Sequence, residues 1–137
     1  MEINLYAGVK DGHIETGVSD GHGADVVLSV EETAAVNRVF SCVGGAVKSL
    51  HLERRSASYL SVVGPEYGDD FCRVKASPRA LWISLDLFGK NVDDDPRLSS
   101  VKNKNQRHWK IPLHDVDDIT GLADLIRVSL GSIGLAP

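Results

Sequence analysis

The sequence predicts an α+β fold, a two-layer sandwich in which an antiparallel sheet packs with two helices. Two segments carry apolar residues at three- and four-residue steps, as one face of a helix requires. Between them lies a series of strand-like runs joined by short links containing Gly and Pro. Short links join antiparallel neighbours, and two helices flanking one sheet give two layers. With 137 residues and 42% hydrophobic content, the chain has material for one core, hence a single domain over residues 1–137. Charged residues make up 25% and the net charge is -4, the balance of a soluble globular chain and not of a disordered one.

The first element expected is a β-hairpin. Ile3, Leu5, Ala7 and Val9 alternate ahead of Asp11-Gly12, a dipeptide that supplies the positive φ of a tight turn, and the second arm runs to about Gly17. A glycine-rich connection follows, GVSDGHGADVVLS, so that residues 1–28 form an N-terminal extension. Ser29 and Glu32 then have the spacing of a capping box, which opens a helix. Val36, Val39, Phe40, Val43, Val47 and Leu50 give that helix one apolar face over roughly twenty residues. Gly44 and Gly45 interrupt it at a cost of about 1 kcal/mol each relative to alanine, which predicts a kink or a close helix-to-sheet contact.

After Glu53-Arg54-Arg55, read as a link, strands are expected at 58–63, 71–76 and 80–88. In the third, Leu81, Ile83, Leu85 and Leu87 form one apolar line while Trp82, Ser84, Asp86 and Phe88 point the other way. The apolar line is expected to meet the first helix. A fourth short strand falls at 108–113. Asp115, Asp117 and Asp118 then suit the N-terminus of a closing helix, which carries Ile119, Leu122, Ile126 and Leu130. The predicted sheet thus combines the hairpin, the three-stranded meander and the fourth strand.

Over about 31–133, the Asp94-Asp95-Pro96-Arg97 turn, the His108-Trp109 strand and the Leu-Ile-x-x-Ser helix (Leu125, Ile126, Ser129) resemble an uncharacterised bacterial family. Its members are labelled "predicted transport protein" and occur as the C-terminal domain of restriction and endonuclease-type proteins. The His-Trp strand and the final helix are more distantly similar to the MmcQ/YjbR-like family, for which DNA binding has been suggested. The chain lacks the glycine-rich continuation usual after His-Trp in the first family. The resemblance implies an α+β accessory domain, and it transfers no catalytic residue.

Charge is sharply polarised toward one loop. Arg97, Lys102, Lys104, Arg107 and Lys110 stand together without an acid, in a chain of net charge -4. With His108 and Trp109 beside them, these residues form a candidate surface for nucleic acid or for a protein partner, the lysines and arginines holding phosphates and Trp109 stacking a base. Arg73 and Lys75 share a strand face and extend the positive patch. The whole-chain pI of about 5.7 argues the other way, toward a solvated loop or one facing an acidic protein.

No catalytic set emerges. Asp93, Asp94 and Asp95 lack EF-hand spacing and read as a turn before Pro96. Asp70 is followed by Arg73-Val74-Lys75, without the carboxylate of a Glu-x-Lys nuclease motif. His13, His22, His51, His108 and His114 form no i, i+4 pair, and Cys42 and Cys72 read as buried free thiols. Neither a metal nor a cofactor is assigned. No signal-peptide pattern opens the chain and no apolar run approaches the ~18 residues that span a membrane, so the expected compartment is the cytoplasm.

The leading functional reading is a non-enzymatic binding module, accessory to nuclease or nucleic-acid-processing systems. It would use residues 97–110 and the mixed sheet face with Trp82 and Phe88. One alternative is a small-ligand receptor or enzyme with a pocket between the sheet and the glycine-rich loop, where His22, Asp25 and His108 supply the polar groups. A second is a structural homodimer joined through an edge strand of the hairpin.

Overall fold

A computed structural model describes residues 7–10, 13–16, 28–56, 58–66 and 70–137. Ser29 and Glu32 cap the first helix as their spacing requires. The Ser29 hydroxyl accepts from the Glu32 amide at 3.0 Å, and the Glu32 carboxylate accepts from the Ser29 amide at 3.1 Å. Helix α1 spans Val30–Cys42 and buries Ala35, Val36, Val39 and Phe40. It is shorter than its apolar periodicity suggested, because Gly44 takes a positive φ of 54° and the chain tightens into a 3₁₀ turn over Gly44–Ser49. The close approach at Gly44 is made by Pro137, whose carbonyl carbon would lie 3.2 Å from an added Cβ.

Five antiparallel strands make the main sheet in sequence order: β3 (His51–Ser56), β4 (Tyr59–Val63), β5 (Asp70–Ser77), β6 (Ala80–Asp86) and β7 (His108–Pro112). The segment containing Glu53-Arg54-Arg55 is therefore not a link but the first strand, with Leu52 fully buried. Its single inward apolar residue and charged neighbours suit a sheet edge. The N-terminal hairpin, β1 (Ala7–Lys10) and β2 (His13–Thr16), forms a two-stranded sheet of its own and does not join the main one. Lys10 pairs with His13, the geometry of a tight hairpin, while the Asp11-Gly12 turn lies outside the described residues.

Alternation assigns each strand residue to a face. Leu60, Val62, Cys72, Val74, Ile83, Leu85, Trp109 and Ile111 line the helix-facing side, all buried. They form one core with the apolar residues of α1 and of the closing helix α2 (Ala123–Gly131), including Leu125, Ile126 and Leu130. The turns before α2, Val116–Leu122, are 3₁₀ in form and are started by a second capping box between Asp115 and Asp118. α2 is fastened to the sheet by Ser129. Its hydroxyl accepts from the Asp86 amide at 2.8 Å and donates to the Phe71 carbonyl at 2.6 Å, joining the ends of β5 and β6.

The outer edge of β7 is blunted. The Leu113 amide donates to the Leu81 carbonyl and the Leu87 amide to the Arg107 carbonyl, at 3.0 and 3.2 Å. This parity turns the backbone groups of His108, Lys110 and Pro112 away from β6. Pro112 has no amide hydrogen, and the His108 carbonyl already accepts from Asn103 Nδ2 at 2.9 Å. Among the described residues, no helix is long and apolar enough to cross a membrane.

Candidate binding face

The sheet face turned away from the core carries rows of polar and aromatic residues. Ser61 pairs with Arg73, Arg73 with Ser84 and Ser84 with Lys110, one row across β4 to β7. The register that pairs Leu60 with Val74 sets Tyr59 beside Lys75, and Lys75 pairs with Trp82 and Trp82 with Pro112, a second row. Asp86 and His108 pair at the far end of β6 and β7.

At that far end the charges are internally matched. Arg107 Nε donates to Asp86 Oδ2 at 2.7 Å, Ser132 donates to the same oxygen at 3.0 Å, and Arg73 Nε donates to Asp70 Oδ2 at 2.8 Å. Asp70 and Asp86 are buried, and a buried carboxylate persists only when it is paired and hydrogen-bonded. His108 sits among them with both ring nitrogens buried and without a hydrogen-bond partner among the described residues. Burial above all, then the Arg73 charge, holds its pKa below the ordinary histidine value, with Asp70 pulling the other way. Among the described residues no hydroxyl or thiol is bonded to the ring, so none of them forms a nucleophile–base pair with it.

The seven residues assigned to partner binding divide into structural and open groups. Arg97 is a clamp: its guanidinium holds Asp95 at 2.6 Å, Asp124 at 2.8 Å and the Gly121 carbonyl at 2.9 Å. The Arg97 side chain and amide together lower the Asp95 carboxyl to about 2. Arg97 likewise lowers Asp124, and the two carboxylates raise Arg97 in return. Arg107 is committed to Asp86. Lys104 donates to the Asp93 carbonyl at 2.9 Å.

Trp109 requires a correction. It is 1% exposed, on the core side, with Nε1 donating to the Gln106 carbonyl at 2.9 Å, so its ring packs the interior and cannot stack an external base. Pairing with the inward Leu85 puts it there, and strand alternation then turns His108 and Lys110 outward.

Lys102 and Lys110 remain on the open side. They flank a groove of about 440 Å³ at the β7 edge, lined also by Leu81, Trp82, Ser100 and Pro112, and no carboxylate lines it. The Lys110 ammonium lies 4.6 Å from the centroid of the Trp82 ring. Trp82 in turn lies 5.7 Å from the Tyr59 ring, the planes tilted by 50°. Among the described residues neither Lys102 nor Lys110 forms an ion pair. Tyr59 has no motif in the sequence; its alternation with the buried Leu60 is the only signal that places it on this face.

Elsewhere, Arg54 is held by the Glu32 carboxylate, 2.7 Å to each oxygen. Burial raises both free thiols, Cys72 well above the ordinary value. No three His, Cys, Asp or Glu side chains converge as a metal site among the described residues. The glycine-rich segment with His22 and Asp25 lies outside them. No protein-family model, curated protein or solved structure matches the chain.

Proposed function

We propose that this chain is a non-enzymatic binding module for an anionic partner, held on the open sheet face at the groove between Trp82, Lys102 and Lys110. One observation carries the reading: this groove brings two lysines without ion pairs to a partly exposed aromatic wall that no carboxylate lines, while Arg97 and Arg107 in the same loop are neutralised internally. An accessory role beside nuclease or nucleic-acid-processing systems fits such a surface. We place its action in the cytoplasm, where free thiols such as Cys42 and Cys72 stay reduced.

The test is retention on a heparin matrix across a salt series. A chain of net charge -4 has no global reason to bind a polyanion, so retention reports a local patch. Retention at low salt that disappears in Lys102→Glu/Lys110→Glu is the expected result. Passage in the void volume, or retention indifferent to that double change, would overturn the reading.

A further inference from the structure

We infer that the anionic partner is single-stranded nucleic acid, with an unpaired base stacking on Trp82 beside Tyr59 and the lysines around them taking the flanking phosphates. This deepens the preceding proposal and rests on it.

Three observations point to nucleotides. First, the anion-attracting groups surround aromatic rings. Tyr59, Lys75 and Trp82 are consecutive positions of one row, and Lys110 stands in the next row with its ammonium over the Trp82 ring. A purely acidic ligand would need the cations and leave both rings idle, whereas a nucleotide uses a ring face and a positive charge a few ångströms apart. Second, the groove at about 440 Å³ is of a size to enclose a small ligand, enough for one base with its sugar and far too small for a duplex. Bases inside a duplex have no free face, so a ring on an open sheet serves unpaired ones. Third, the β7 edge excludes the commonest way in which a sheet takes a peptide. Strand addition needs a row of outward amides and carbonyls, but Pro112 has no amide hydrogen and the His108 carbonyl is bonded to Asn103. What remains at this edge is recognition by side chains.

In the free chain Lys110 covers the Trp82 ring, which keeps a large apolar surface from lying bare. A stacking base would displace that ammonium toward its own phosphate, so the same lysine serves both states. Lys75, Lys102 and Lys110 give three phosphate contacts. Their neutralisation predicts a slope of log K against log salt of about -2, at roughly 0.7 per contact for single strands.

The experiment is a fluorescence-anisotropy titration of the full chain with a labelled oligothymidylate 12-mer and with a blunt duplex of equal length, beside the heparin series. The variants are Trp82→Leu, which removes the ring, and Lys102→Glu/Lys110→Glu. Trp109→Phe leaves Trp82 as the sole tryptophan and lets its fluorescence report stacking directly. Expected are preference for the single strand of at least tenfold, a salt slope near -2, quenching in the Trp109→Phe chain, and about a tenfold loss in Trp82→Leu with heparin retention intact. Equal affinity for duplex and single strand, or an unchanged Trp82→Leu chain without quenching, would overturn the inference while lysine-dependent heparin retention left the anionic-partner reading standing. Loss of heparin retention in the parent chain would fail both.

Discussion

Trp82 and Trp109 stand on adjacent strands and on opposite faces of one sheet: the first is partly open beside Lys110, the second is 1% exposed within the core. The two rings therefore answer to different forces. Trp109→Ala leaves a large void and costs about 3–5 kcal/mol, a substantial part of what holds a domain of this size together. Trp109→Phe keeps most of the packing and loses the bond to the Gln106 carbonyl, about 1 kcal/mol. Chemical denaturation of both variants beside Trp82→Leu measures the contrast. A Trp82→Leu chain as destabilised as Trp109→Ala would contradict the assignment of faces.

Among the loop cations, Arg107 is predicted to matter for folding and Lys102 is not. Asp86 is buried and Arg107 Nε lies 2.7 Å from it, so Arg107→Ala leaves a buried carboxylate short of its charge partner. The expected cost is roughly 1–3 kcal/mol. Lys102→Ala should stay within about 0.5 kcal/mol of the parent chain, as exposed substitutions do. Urea midpoints for the two variants decide it.

Ser129 makes both of its hydrogen bonds across the sheet, one to each of two strands, and is fully buried. Ser129→Ala leaves the Asp86 amide and the Phe71 carbonyl without that partner at a fully buried position. A loss of about 1–3 kcal/mol is expected, with hydrogen exchange quickening at Asp86 before it quickens in the middle of β6. Uniform exchange along β6 in the variant would argue against a local role.

His108 gives the fold an acid sensitivity of defined sign. Its folded-state pKa lies below the ordinary value of 6.5, because burial and Arg73 disfavour the charged ring. Below pH 6.5 the unfolded chain binds a proton that the folded chain refuses. This contribution to stability is complete above pH 6.5 and is lost as the pH falls toward the folded-state pKa. Melting temperature should decline from pH 6.5 downward, and His108→Gln, which cannot charge, should show a shallower decline. Superimposable profiles for the two chains would assign the acid loss to other groups.

What the sequence revealed and concealed follows from the range of each signal. The Ser29–Glu32 box, the β4–β7 segments and the Asp115 start were legible because caps and alternation act within a few residues. β3 escaped because it carries one inward apolar residue, Leu52, and is held by pairing with β4 and by the Arg54 contact to Glu32, neither local in sequence. The hairpin was legible as a hairpin, but its separation from the main sheet is a tertiary choice. In the same way the cations of 97–110 were visible as a cluster, yet which of them are spent on Asp86, Asp95 and Asp124 depends on residues brought in from other elements. The Leu-Ile-x-x-Ser pattern acquires a physical meaning only in the fold: two side chains fill the core and the serine ties two strands.

Pro112 also governs how these molecules treat one another when crowded. Fibril seeding starts where a strand displays an unbroken ladder of amides and carbonyls on which foreign β-structure can register and grow. On β7 two of the three outward positions, His108 and Pro112, cannot offer a full donor–acceptor pair, and the third is a lysine. Of these three devices only the missing amide hydrogen of Pro112 is covalent, and that part of the flank's protection against templated polymerisation is one that neither salt nor a change of pH can strip away.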